Sequence, residues 1–206
     1  MNDRCEALVL GIGNVLWADE GFGVRAVEAL HAKYALPATV TVLDGGTQGL
    51  YLFGAVATAR RVLVFDAIDF GLAPGTLRVL RNGEVPAWRA RKISPHQTGF
   101  NDVLALAQLR NEAPEAITLI GVQPEELSDL GGSLRDSVKA RIAEAVELGA
   151  SELAAWGLPP QLREPGAPVI ALNAVALTLD AYESGRPSSD EACRIGDARV
   201  LARTRT

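Results

Sequence analysis

The chain alternates between short runs that are apolar at every position and longer stretches with helical spacing. "ALVLGIG" (7–13) is the first such run, closed by glycines, as expected of a strand covered on both faces. A helix follows from about Glu20 to Tyr34, with Val24, Val27, His31 and Tyr34 along one stripe. "TVTVLDGG" (39–46) is β-branched and stops at an acid and two glycines, which predicts a strand and a turn. "LYLFGAVATA" (50–59) suits a short helix, "RVLVFDAID" (61–69) a second buried strand, and "AITLIGVQP" (116–124) a third, broken by Pro124. "GTLRVLRNGEV" (75–85) alternates like an edge strand that closes in a turn at Asn82–Gly83. "ISPHQTGF" (93–100) reads as a loop, with Thr98 as N-cap of a helix over 99–112. Ser133 and Asp136 have capping-box spacing and predict one long helix through about Trp156.

Strands interleaved with helices predict an α/β fold, a three-layer α/β/α arrangement around a mostly parallel twisted sheet of about five strands. Residues 1–160 form the expected single α/β domain, the stretch 157–168 being rich in Pro and Gly like a linker. Residues 161–206 read as a C-terminal extension, with an amphipathic helix over 168–184 and then a polar tail poor in large apolar residues.

Composition narrows the function classes. The chain has 206 residues and 48% apolar content, enough for one good core. A net charge of −5 and a pI near 5.1 argue against a general nucleic-acid binder. The one basic cluster, "WRARK" (88–92), reads as a solvated loop. Cys5 and Cys193 stand at opposite ends with no CxxC, so neither a thiolate zinc site nor a disulfide framework is expected. No apolar run reaches the ~18 residues of a membrane span. "MNDRCEALVLGIG" (1–13) reads as a first strand rather than a signal peptide. A cytoplasmic location without membrane contact is the expectation.

Within this frame several polar residues fall at equivalent places. Asp19 and Glu20 follow the first strand, Asp44 ends the second, Asp66 and Asp69 end the third, and His96 opens a helix. Ligands of parallel sheets sit beyond the C-terminal strand ends, so Glu20, Asp66 and His96 are placed to converge. Singly, such acids serve as caps or turn formers, and a lone loop histidine as a surface residue. As a set, two carboxylates and an imidazole suit a borderline divalent ion such as zinc or nickel, or acid–base work on water. His31 lies eleven residues past Glu20 on one helix, about 16 Å away at ~1.5 Å per residue, and reads as a packing or surface histidine.

"GIGNVL" (11–16) resembles a dinucleotide loop, but Leu16 stands where that fingerprint needs Gly or Ala. Asp44 matches the ribose-binding acid of such folds, yet Asp19 and Glu20 fill the helix start that a pyrophosphate needs. No nucleotide is therefore expected. No G-x-S-x-G elbow supports a serine hydrolase.

"GIGNVLWADEGFG" (11–23), "DGGTQG" (44–49), "VFDAID" (64–69) and "SPHQTGF" (94–100) occur here in order. Together they resemble the motifs of the NiFe-hydrogenase maturation endopeptidases, in the HyaD, HupD and HoxM type that serves membrane-bound uptake hydrogenases. The resemblance covers residues 7 to about 157. It implies a peptidase of aspartyl type that removes a short C-terminal peptide from the hydrogenase large-subunit precursor after nickel insertion. It also implies Glu20, Asp66 and His96 as metal-contacting residues and Asp44 as the family's acid in the D-G-G-T segment. Such a site need not own a cofactor; nickel would arrive on the precursor and be contacted by the enzyme. Hydrolysis would use a water activated by the metal or by a carboxylate, with Asp44 as base or loop-positioning residue. "DGGTQG" reads either as a backbone grip on an extended peptide or as a plain glycine turn. Three other classes stay open: a non-catalytic assembly chaperone for the same precursor, a hydrolase akin to peptidyl-tRNA hydrolase, and a stable zinc enzyme.

Overall fold

The structure is a computed structural model and describes residues 5–87 and 95–186. The "WRARK" loop, Cys193, the polar tail from 187 and the side chain of His96 lie outside the described residues.

Five strands make the central sheet: β1 (Ala7–Ile12), β3 (Val40–Gly46), β4 (Arg61–Ala67), β5 (Leu77–Arg81) and β6 (Ala116–Val122), in the order β3-β1-β4-β6-β5. All pairs are parallel except β5–β6, so the predicted edge strand is an antiparallel edge. Two further strands, β2 (Tyr34–Ala35) and β7 (Gln161–Leu162), pair as a separate antiparallel ribbon. Period-two alternation divides the core. Ala7, Val9, Leu63 and Phe65 face helices α1 (Phe22–Lys33) and α6 (Ile142–Ala155). Leu8, Leu10, Val62 and Val64 face helices α2 (Phe53–Ala57) and α4 (Pro95–Leu109). This is the expected three-layer arrangement. Two short helices, α3 (Glu84–Ala87) and α5 (Asp136–Lys139), complete the body, and α7 (Leu179–Ser184) follows it. Among the described residues no helix is long and apolar enough to cross a membrane.

Four expectations need correction. The 93–100 segment is not all loop: α4 begins at Pro95, ahead of Thr98. Proline fits a first helical turn, where its fixed φ is helical and its missing N–H costs nothing. The long helix expected after Ser133 is two helices, α5 and α6. Ser133 caps neither; its hydroxyl donates to Glu183 at 2.8 Å. The 157–168 stretch is no plain linker, because it holds β7. Of the helix expected over 168–184, only Leu179–Ser184 is α-helical, after a 3₁₀ turn at Val175–Leu177. Carbonyls that such a helix would use internally go elsewhere. His31 Nε2 bonds the Ile170 carbonyl at 3.0 Å, and Arg25 donates to the Leu177 carbonyl at 2.5 Å.

Residues 163–186 thus form a strap over α1. Arg25, 4% exposed, holds it through Leu177 and lies 5.8 Å from the Tyr182 ring, while pairing with Glu28 at 2.9 Å. Asn173 donates to the other Glu28 oxygen, and Lys139 donates to Glu183 at 2.6 Å. The Lys139 ammonium, opposed by burial and helped by Ser133, holds the Glu183 carboxyl below its ordinary range.

Asp19 organises the loop after β6. It is 0% exposed and accepts three backbone N–H groups, from Glu125 and Glu126 on Oδ2 and from Arg135 on Oδ1, each within 2.8 Å. Its own N–H donates back to the Glu126 carbonyl at 3.1 Å. Removing a buried charged acceptor strands donors that water cannot reach. Asp19→Ala should lose about 3 kcal/mol of unfolding free energy by denaturant titration, with faster amide exchange at Glu125, Glu126 and Arg135. Unchanged exchange at these three amides would contradict the clamp.

Candidate active site

Asp44 and Asp66 lie near the C-terminal ends of β3 and β4, and Glu20 lies in the turn that follows β1. Gly11 of β1 pairs with Asp44 of β3 on one side and with Phe65 of β4 on the other. At about 4.8 Å between neighbouring strands, the Asp44 and Phe65 backbones stand roughly 10 Å apart, with the end of β1 between them.

Glu20 sits over that central end, in the 3₁₀ turn Ala18–Gly21 that precedes α1. The turn folds back onto the strand: Asn14 N–H donates to the Glu20 carbonyl at 3.1 Å. Gly13 makes this possible. Its φ is +139°, and a Cβ there would lie 1.8 Å from the Glu20 carbonyl oxygen. Adjacent residues of a 3₁₀ turn point about 120° apart, so Asp19 can be buried in its clamp while Glu20 remains half-buried.

Asp44 lies two residues before the end of β3, at a bulge. Gly11 pairs with Asp44 and Ile12 with Gly46, leaving Gly45 as the extra residue, packed on Leu10. Bulges re-aim side chains at such places. Asp44 Oδ1 accepts the Gly46 N–H at 2.8 Å, and Oδ2 has no hydrogen bond among the described residues. Asp44 lines a cleft of about 200 Å³ between the loops that follow β1 and β3. The glycines of "DGGTQG" act in packing and turning. The Gly46 carbonyl accepts from Gly13, the Gly45 carbonyl accepts from Gln48, and Gly49 abuts Gly99 of α4.

Asp66 is 4% exposed on β4, and one of its oxygens accepts the Ala67 N–H at 2.8 Å. Alternation sets it with Val62 and Val64, towards α2 and α4, whereas Asp44 falls with Val40 and Val42, towards α1. The two acids therefore flank β1 from opposite faces. His96 lies in the first turn of α4, one turn before Gly99, whose Cβ would come within 2.9 Å of Gly49 Cα. That contact sets the backbone of His96 close to "DGGTQG". Among the described side chains, which exclude His96, no group of three or more His, Cys, Asp or Glu is placed to hold a metal.

Asp69 is structural. It accepts from Gly71 N–H at 3.0 Å and from Gln123 Nε2 at 3.1 Å, while Gln123 Oε1 binds the Phe70 and Leu72 amides. The sequence reading missed Asn14, Val15 and Leu177 as cleft residues. Asn14 carried a signal, since an Asn after G-x-G is a turn former whose Oδ1 here accepts the Leu16 N–H at 3.0 Å. Leu177 carried none.

Acids near the ends of β3 and β4 and in the turn after β1, with a filled helix start, do not suit a phosphate. The model of the hydrogenase maturation protease family matches residues 24–152. The chain is 54% identical to the hydrogenase expression/formation protein HoxM of Cupriavidus necator over 196 residues, 94% of this chain and 97% of that protein. It is 55% identical to HupD of Rhodobacter capsulatus over 195 residues, 94% of this chain and 92% of that one. The hydrogenase maturating endopeptidase HybD from Escherichia coli has the same fold, with TM-score 0.73 and 44% identity, covering 77% of this chain and 98% of HybD. The chain belongs to the hydrogenase maturation proteases and is a peptidase.

Two glycines with positive φ separate backbone strain from close approach. A Cβ at Gly131, φ +76°, meets nothing within 4 Å. Gly131→Ala should therefore lose only about 1 kcal/mol of stability, whereas Gly13→Ala should lose about 3 kcal/mol or more and displace Glu20. Equal losses in parallel denaturant titrations would rule out the packing role of Gly13.

Proposed function

We propose that this protein is the nickel-dependent endopeptidase that removes the C-terminal peptide from the precursor of the NiFe-hydrogenase large subunit, acting in the cytoplasm once nickel is in place. The observation that supports the reading is that the turn carrying Glu20 packs against the end of β1, whose two neighbours in the sheet, β3 and β4, carry Asp44 and Asp66. The match to the hydrogenase maturation protease family and the likeness to hydrogenase expression/formation proteins support the same substrate class.

In this reading nickel is part of the substrate, held by cysteine thiolates of the precursor. Glu20, Asp66 and His96 offer two oxygen donors and one nitrogen donor, a set that suits a borderline ion with open positions. Engaging the metal orders the adjacent peptide and converts a bimolecular encounter into a local one. Cleavage is thereby conditional on the metal. Water adds to the scissile carbonyl carbon and passes its proton to Asp44. Collapse breaks the C–N bond, the leaving amine takes the proton, and the products are a new carboxyl terminus and the released peptide. Asp44 suits the base because it lines the cleft and has one oxygen outside its own turn bond.

Incubation of the purified protein with nickel-loaded precursor should give a mass loss at the precursor's C-terminus, and none with nickel-free precursor. Binding without mass loss would instead indicate an assembly chaperone. Glu20→Ala, Asp66→Ala and His96→Ala should each stop processing while remaining folded by circular dichroism; a His96→Ala variant that processes at the normal rate would refute metal recognition. Asp44→Asn should lower kcat by about 100-fold or more yet still bind the nickel-loaded precursor. A kcat within threefold of the original would remove Asp44 as the base.

A further inference from the structure

The central sheet has two edges, and they are finished differently. β5 carries Arg78 and Arg81, and the Arg81 N–H is taken by the Glu84 carboxylate at 2.9 Å. Charges and capped amides of this kind keep another strand from adding to an edge. β3 has neither: residues 40–43 hold no charge and no proline, and the strand is paired on one side only, with β1. The phase of that ladder is set where the Thr39 carbonyl accepts the Glu6 and Ala7 N–H groups. Residues alternate along a parallel pair, so Thr41 and Leu43 turn their backbone groups to β1, and Val40, Val42 and Asp44 turn theirs outward. Some outward groups are used. The Val40 N–H donates to the Pro37 carbonyl at 2.9 Å, and the Asp44 carbonyl accepts from Gln48 Nε2 at 3.4 Å. The Val40 carbonyl, the N–H and carbonyl of Val42 and the Asp44 N–H have no partner among the described residues.

We infer that this edge is where the substrate docks: the C-terminal peptide of the precursor adds to β3 as an antiparallel strand, which leads it past Asp44. The inference rests on the proposed endopeptidase reading and deepens it. The chain is a peptidase, so its substrate is a polypeptide, and an extended segment finds its backbone partners on an open sheet edge. The glycine turn after Asp44 spends its own backbone groups internally, with the Gly46 N–H on Asp44, the Gly45 carbonyl on Gln48 and the Gly46 carbonyl on Gly13. The adjoining edge of β3 still has donors and acceptors to give, at the two-residue spacing of a strand. Direction follows from the order of the substrate. The removed peptide is C-terminal, so the retained, metal-bearing part lies upstream of the cut bond. A chain that comes from the metal, passes Asp44 and continues along β3 therefore runs against it. Val42 exchanges both hydrogen bonds with one peptide residue. The Val40 carbonyl accepts from the residue two further on, and the Asp44 N–H donates to the residue two before.

Amide exchange, measured by NMR on the Asp44→Asn variant alone and in complex with nickel-loaded precursor, reads the edge directly. The Val42 N–H should slow by about 10-fold or more in the complex, while the Thr41 and Leu43 N–H groups, already paired with β1, should change by less than about threefold. A second measurement uses the unaltered protein and locates the cut bond by mass spectrometry. Each of the second to sixth precursor residues after that bond is then replaced in turn by Pro and by Ala. Proline has no N–H and cannot pair where its nitrogen faces the partner strand. KM should be higher for Pro than for Ala by about 5-fold or more at alternate positions, and within about twofold at the positions between. A Val42 amide unchanged in the complex, or a proline penalty without a two-residue period, overturns the inference while the endopeptidase reading stands. Protection of Val42 in the free protein that grows with its concentration assigns the edge to a second copy of this chain and also overturns it. If the unaltered protein cleaves no nickel-loaded precursor, the reading itself fails and takes the inference with it.

Discussion

Helix α1 meets the sheet at a distance that excludes side chains, and the placement of the site follows from that contact. A Cβ on Gly23 would come within 2.2 Å of the carbonyl oxygens of both Ile12 and Phe65, and one on Gly11 within 2.4 Å of the Gly23 carbonyl. The first turn of α1 therefore rests directly on the backbones of β1 and β4. The 3₁₀ turn that leads into it has no room to spread, so Glu20 is held over the end of the central strand. A bulkier residue at either glycine would lift α1 and carry with it the wall of the cleft at Val24 and the strap anchor at Arg25.

Two adjacent acids divide the work of this turn. Asp19 turns inward and binds the loop after β6 through three amides, fixing the far side of the site. Glu20, about a third of a turn away, stays at the strand ends. Fixing one acid in a buried network preorganises its neighbour, because the turn that carries both cannot rotate without breaking charge-assisted bonds. Gln123 performs the equivalent service behind β4, tying down the loop that follows Asp66 through the Phe70 and Leu72 amides.

The strands and the strand-end position of each acid are legible in the sequence for one reason. A parallel sheet buries both faces, so its strands read as unbroken apolar runs, and their C-terminal ends share one edge. The face each acid takes is not legible, since alternation sets Asp44 with Val40 and Val42 and Asp66 with Val62 and Val64, but which helices cover each face is decided by the fold. The helix over 168–184 fails because apolar spacing in "PVIALNAVAL" does not reveal that His31 and Arg25 claim its carbonyls. Ser133 misleads in the same way, its partner Glu183 lying 50 residues on. Leu177 is invisible for the same physical reason: its place at the cleft comes from the fold of the strap over α1, not from local pattern.

The proposed reading joins Glu20, Asp44, Asp66 and His96 into a peptidase that inspects a metal on its substrate before it cuts. Its central claim is that Glu20, Asp66 and His96 touch nickel held by the precursor. X-ray absorption at the nickel edge, on the complex of the Asp44→Asn variant with nickel-loaded precursor, measures this directly. The account predicts new oxygen and nitrogen scatterers at about 2 Å beside the thiolate sulfurs, absent when Glu20→Ala and His96→Ala are added. A nickel shell identical in free and bound precursor would contradict it.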